Sequence, residues 1–296
     1  MDITRKFPLI LSSFWLKVIA LFTMTIDHIG YMLEDGRFYE LRDLAITFRY
    51  TGRLALPLFC FMIADGALHT KNFKKYALRL GIMASLISIG MIIAENVSFI
   101  GSMRREGIIF VDLLLGAVAV YCLRQKKWYF KLLALLPLLY GIASFIGASL
   151  ELCGCHGKIL WFPYFMRCQY GWYGILMCIL FYVAHLLSDA FISYLSGQTG
   201  ITRENYKGTN IERHSINIIS VLMLAFAGIL YYVVIKMMPE KYVAMDNNMQ
   251  LFAIASGAFI LLYNGLRGYN KKWFQYGSYL YYPIHLAIIY FIFSLI

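Results

Sequence analysis

The chain has 296 residues, of which 60% are hydrophobic and 17% aromatic, and its formal charge is +11. A soluble domain of this length is far more polar, and here the apolar residues come in long runs rather than amphipathic stripes. The lysines and arginines are scattered through short polar connections and form no continuous basic face, so the charge does not describe a nucleic-acid-binding protein. The expected fold is an all-α polytopic membrane protein, a single bundle of about nine to ten transmembrane helices forming one domain over residues 1–296.

Met1–Pro8 is basic and Leu9–Met24 largely apolar, a pattern resembling a signal peptide. The stretch is longer than a typical signal core, contains Lys17 and has no small-residue cleavage site before Asp27, so it is expected to be a retained first span. A spanning helix needs about 20 predominantly apolar residues. Segments of this kind run over Phe14–Leu33, Ala45–Ala67, Tyr76–Ala94, Ile108–Leu123, Tyr129–Leu150, Gly171–Ser188, Ser215–Lys236, Leu251–Leu266 and Tyr276–Ile296. A tenth arises if part of Trp161–Cys168 re-enters the membrane. With the N-terminus cytoplasmic, the connections on that side hold 17 basic residues against 8 on the other, as the positive-inside rule requires. Asp189–His214, the longest connection, is polar and expected to be a flexible inner loop.

Ionisable groups interrupt these spans, and such groups are costly in lipid unless they face a bundle interior or a watery cavity. The orientation puts Asp27 and His28 of the first span at the level of Arg49 and Arg53 of the second. Adjacent helical residues point about 100° apart, so Asp27 is poorly placed to hold the ring of His28. A matching charge for Asp27 comes from Arg53, or from Arg49 one turn earlier. His28 is then either a proton-exchanging base or a hydrogen-bonded bundle residue. His285 follows Pro283, which can free a carbonyl at mid-membrane. It is either a second catalytic or binding group or the partner of that backbone.

Asp65 and His69 lie at the inner end of the second span, followed by Lys71, Asn72, Lys74, Lys75 and Arg79. This basic rim suits the phosphates of an anionic cosubstrate or ordinary positive-inside anchoring. No glycine-rich nucleotide fingerprint is present. Cys153, Cys155 and Cys168 share one outer connection with His156. Free thiols, a disulfide to Cys168 and a metal site are all open readings, although the spacing matches no standard zinc signature.

Three blocks carry a family resemblance. Leu16-Lys17-Val18-Ile19-Ala20 runs on to Thr25-Ile26-Asp27-His28-Ile29-Gly30. Gly52-Arg53-Leu54-Ala55-Leu56-Pro57-Leu58-Phe59 runs on to Ala64-Asp65-Gly66-Ala67-Leu68-His69-Thr70-Lys71-Asn72. Leu262-Tyr263-Asn264-Gly265-Leu266-Arg267-Gly268 runs on to Tyr282-Pro283-Ile284-His285-Leu286. Together they resemble the TraX family, whose founding activity is N-terminal acetylation of conjugative pilin. That family is similar to the wider transmembrane acyltransferases, including the lysosomal heparan-glucosamine acetyltransferase.

The resemblance implies a multi-pass protein of the bacterial inner membrane, surrounded by lipid. It would move an acetyl group from cytoplasmic acetyl-CoA, a cosubstrate, to an amine or hydroxyl on the other face. The acceptor would be a pilin-like protein or a cell-surface glycan, and no metal or nucleic acid is expected. Catalytic roles then fall to His28, Asp27, Arg53 and His285. Cosubstrate contacts fall to Arg49, Asp65, His69, Lys71, Asn72, Lys74, Lys75, Arg79, Asn264 and Arg267. A proton-coupled solute transporter would use the same buried groups, with flux and no acyl-CoA. A non-catalytic scaffold of a conjugation or secretion system would tolerate loss of His28.

Overall fold

A bilayer offers no water to backbone polar groups, so a spanning chain must close its hydrogen bonds within each helix. The computed structural model, which describes residues 8–96, 107–152, 162–239 and 247–296, has helices and no strand among them. Seven helical segments are long and apolar enough to cross a membrane: Ser13–Leu33, Gly36–His69, Phe73–Ile93, Trp128–Glu151, Trp172–Thr199, Asn210–Met237 and Lys272–Leu295. Large apolar side chains such as Phe22, Leu86, Leu139, Leu222 and Phe291 point outward, as lipid-facing residues do. The chain is a multi-pass membrane protein.

The elements in order are α1 (Ser13–Leu33), α2 (Arg42–Gly52), α3 (Ala55–His69), α4 (Phe73–Asn96), α5 (Ile109–Arg124), α6 (Trp128–Leu133) and α7 (Leu135–Leu152). Then come α8 (Trp172–Thr199), α9 (Arg203–Tyr206), α10 (Asn210–Met237), α11 (Asn247–Leu251), α12 (Gly257–Leu261) and α13 (Lys272–Leu295). The end bearing Ser13, His69 and Lys272 is termed lower here, and the end bearing Leu33 and Leu295 upper. α2 and α3 form one descending segment with a tight turn at Arg53–Leu54. Pro57 has no N–H to give the carbonyl four residues back, and the amides of Arg53 and Leu54 bond three residues back, to Tyr50 and Thr51.

Two expected segments differ from the sequence pattern. The region Leu251–Leu266 is broken into short helical pieces that end at Leu261, because Gly265 and Gly268 take positive φ and turn the chain. The loop that follows meets a need of α1. The amides of Ser13 and Phe14, without partners inside their own helix, donate to the carbonyls of Leu266 and Arg267. The connection Asp189–His214 is largely helical rather than a flexible loop. α8 runs on through Gly197 until Gly200, whose φ of 70° closes it, and Thr209 accepts from the Glu212 amide to start α10. Beyond the upper end of α1, Asp35 accepts the Arg37 backbone N–H and its Nε–H, which holds that carboxyl below the usual range.

Close helix approach depends on small residues. A Cβ on Gly116 of α5 would stand 2.6 Å from the Cys178 sulfur of α8. Gly116→Val is therefore expected to destabilise the protein by about 1–3 kcal/mol, read as a lower melting temperature in detergent.

Candidate active site

α1 and α2 run antiparallel at short range because glycine faces each of them. A Cβ on Gly52 would stand 2.1 Å from the Asp27 Cβ, and one on Gly30 2.8 Å from the Phe48 Cβ. At that approach Asp27 Oδ1 accepts from Arg53 Nη2 at 2.7 Å and lies 2.9 Å from Arg49 Nη1. Arg53 Nε also donates to the Arg49 carbonyl at 3.1 Å. Asp27 and Arg53 are 6% and 2% exposed, so this is an ion cluster held out of water. Arg49 lies over the Tyr31 ring, and its Nε–H sits 3.3 Å from Glu34 Oε1 without hydrogen-bond alignment, leaving that donor unsatisfied.

His28, turned away from Asp27 by the helical step, meets α13. Its Nδ1 lies 2.7 Å from His285 Nε2, with the rings stacked at 4.9 Å. The other nitrogen of His285, Nδ1, lies 2.7 Å from the Tyr281 carbonyl. A carbonyl only accepts, so His285 Nδ1 carries the proton. In the neutral pair His285 Nε2 then accepts from the Nδ1–H of His28, which leaves the lone pair on His28 Nε2. His285 thus bonds backbone on one side and His28 on the other. The carbonyl is that of Tyr281, not the one four residues before Pro283. Tyr282 stands edge-on to both rings.

Asp27, His28, Arg49, Arg53 and Tyr282 border a cavity of about 70 Å³. Its upper wall includes Gly107, Gln169 and Tyr170. Asp112, fully buried in the first turn of α5, anchors that wall by accepting the amides of Gln169 (2.6 Å) and Tyr170 (3.1 Å). Beside it, Cys168 is a free, buried thiol whose burial pushes it above its ordinary pKa, the opposite of a reactive thiolate. Cys153, Cys155 and His156 lie outside the described residues. A second cavity, about 230 Å³, lies below the histidines and shares Tyr282 with the first.

Asp65 and His69 do not join this site. Along α3 Asp65 is twelve residues below Arg53, about 18 Å. There Asp65 Oδ1 lies 3.6 to 3.9 Å from His69, His185 of α8 and Arg213 of α10, and Oδ2 accepts from the Tyr263 hydroxyl at 3.3 Å. These longer spacings suit bridging water. Lys71, Lys74, Lys75 and Arg79 are exposed at the lower rim, with Arg79 against the Tyr276 ring. Asn72 caps α4 by accepting the Lys75 amide, and Asn264 accepts the Leu266 amide inside its own loop. Both asparagine side chains thus serve the backbone. Arg267 is exposed, and its carbonyl serves α1. Sequence reasoning passed over Asp112, His185 and Arg213, although the first two sit within apolar segments as visibly as Asp27 does. Among the described residues no three His, Cys, Asp or Glu side chains are grouped to hold a metal ion.

The family model described as TraX protein matches residues 12–196. The chain belongs to the TraX family. It is similar to the probable fimbrial assembly protein FimC, serogroup H1, of Dichelobacter nodosus, at 44% identity over 71 residues. That stretch is 23% of this chain and 27% of the relative, so the chain spans about a quarter of the relative it matches. No solved structure matches. The TraX match takes in the Asp27 cluster, His28 and the roof loop, and His285 lies beyond it.

Removing one member of a buried ion cluster strands the charges that remain. Asp27→Asn, which leaves two buried arginines, is expected to cost about 3–5 kcal/mol, seen as a large drop in melting temperature in detergent. His28→Ala strands no charge and should melt within a few degrees of wild type.

Proposed function

We propose that this TraX-family protein is a membrane acetyltransferase that moves an acetyl group from cytoplasmic acetyl-CoA to an amine or hydroxyl at the outer face. The observation that carries the reading is the hydrogen-bonded row from the Tyr281 carbonyl through His285 to His28, which leaves a basic nitrogen on His28, a residue that lines the upper cavity. In this reading the N-terminus is cytoplasmic and nine passes cross the inner membrane as one domain over residues 1–296. The shorter α5 and the broken α11–α12 supply the two passes beyond the seven long ones. The excess of basic residues on the lower connections supports that orientation.

The acceptor nitrogen or oxygen attacks the thioester carbonyl, forming the new C–N or C–O bond. His28 Nε2 takes the proton the attacking atom loses. The C–S bond then breaks and the proton passes to the departing sulfur, so acetylated acceptor and free CoA leave. His285 is a positioning residue that fixes the His28 tautomer. The unsatisfied Nε–H of Arg49, within a cluster already neutralised in part by Asp27, suits the oxygen that turns negative during attack. Lys71, Lys74, Lys75 and Arg79 offer charge to the nucleotide phosphates at the lower rim.

The acceptor approaches from the upper side, past Gln169 and Tyr170. A pilin-like N-terminus is favoured by the fimbrial name of the FimC relative, with cell-surface glycans as the alternative acceptor class. The test is thiol release from acetyl-CoA by the purified protein with cell-envelope extract as acceptor. A general base typically contributes about 10²–10⁴-fold, so His28→Ala is expected to lose release by that factor while still melting normally. His285→Ala should fall less far. Release that is absent in wild type, or unchanged in His28→Ala, would overturn the proposal.

A further inference from the structure

The wall above the histidine pair is irregular backbone pinned by α4, α5 and α7. Ser88 of α4 donates to the Phe165 carbonyl, and Tyr140 of α7 to that of Met166. The Ile108 amide, just before α5, donates to the Arg167 carbonyl. The amides of the stretch are taken as well. Those of Met166 and Arg167 donate to the carbonyls of Pro163 and Tyr164, and that of Cys168 to Ser144 Oγ. Those of Gln169 and Tyr170 go to the Asp112 carboxylate. Every amide from Met166 to Tyr170 is therefore engaged, and this run has no backbone N–H left for a substrate. Contact from it falls to side chains.

Three residues of the wall line the upper cavity: Gly107, Gln169 and Tyr170. Gly107 has no side chain, and a Cβ there would stand 2.1 Å from the Cys168 carbonyl oxygen. Tyr170 packs against the apolar core. Gln169 remains. It is half-buried, and among the described residues its carboxamide has no hydrogen-bond partner. Asp112 thus fixes the backbone of a residue whose own polar group is uncommitted, on the cavity that His28 and Arg49 share.

The protons of the attacking group decide what that carboxamide can do. A primary amine brings two N–H bonds. The acetyltransferase reading gives one to His28 Nε2 and gives the thioester oxygen to the Arg49 Nε–H. The second N–H, away from bulk water, needs an acceptor, and a carboxamide oxygen is one. Held by both hydrogens, the amine has its lone pair left to aim at the thioester carbon. A hydroxyl has a single O–H, which His28 takes, so the carboxamide oxygen goes unmet. Sites that bond a substrate N–H discriminate strongly against an analogue that lacks it.

We propose that Gln169 is the acceptor-binding residue of this site, its carboxamide oxygen accepting the second N–H of an attacking amine and so selecting amines over hydroxyls. The assignment rests on the acetyltransferase reading and narrows its acceptor class. The experiment follows thiol release from acetyl-CoA by the full-length protein in detergent, with cell-envelope extract as acceptor. It compares wild type, Gln169→Leu and Gln169→Glu, with melting temperature and calorimetric acetyl-CoA affinity as checks on fold and cosubstrate binding. A hydrogen bond lost to a group left unpaired corresponds to about tenfold or more. Gln169→Leu is expected to lower release by that factor at limiting extract, with acetyl-CoA affinity and melting temperature unchanged. Gln169→Glu keeps an accepting oxygen and loses the N–H donors, and is expected to retain most of the release. Extract whose amines have been succinylated should support none in wild type. Unchanged release in Gln169→Leu, an equal fall in both variants, or full release with succinylated extract overturns the Gln169 assignment alone. Wild-type protein that releases no thiol overturns the acetyltransferase reading, and this assignment with it.

Discussion

One carboxylate shared by two arginines sets the geometry of this bundle. Asp27 lies between Arg49 and Arg53 where water is excluded, and an unmatched charge of either sign there would be expensive. The attraction is useful only at contact distance, and contact requires that α1 and α2 almost touch. Gly52 and Gly30 permit that approach. The ion cluster and the glycines are therefore one device. It fixes the rotation of α1 about its axis, and the helical step then turns His28 toward α13.

From that rotation the rest of the site follows. His28 meets His285 at hydrogen-bond distance, and His285 is itself held by a carbonyl of its own helix. The row is anchored to backbone at one end, which gives the rings a defined tautomer without any carboxylate in contact with them. This differs from a dyad in which an acid orients a histidine. Here the acid orients the helix, and a second histidine orients the first. Above the pair, Asp112 plays a similar part for the roof, spending its lone pairs on the amides of Gln169 and Tyr170. Below it, the larger cavity lies beneath Tyr282 between largely apolar walls.

The lower cluster around Asp65 has a different character. His69, His185 and Arg213 stand around one carboxylate at 3.6 to 3.9 Å, beyond direct hydrogen bonding. It draws α3, α8 and α10 together near the end where α1 is capped by the loop after α12. Two ionic centres, about 18 Å apart along α3, thus clamp the second descending segment at both ends, and the apolar core between them runs through Leu56, Leu58, Phe61 and Ala64.

Much of this was legible in the residues. Hydropathy alone located the seven long apolar helices, since the cost of exposing polar backbone to lipid is the same wherever a helix sits. The cost of burying charge identified Asp27 and its arginine partners, and the three motif blocks identified the TraX family. Local pattern also misled where it was read too simply. The polar stretch after Ser188 was expected to be a loop, yet α8 continues through it to Thr199, because polar residues are as compatible with a helix as apolar ones. What tertiary structure alone decided is which buried groups meet. The pairing of His28 with His285, separated by 257 positions, and the gathering of His185 and Arg213 around Asp65 depend on the rotation and depth of whole helices. Those are fixed by contacts between distant segments, and no periodicity within a single helix encodes them.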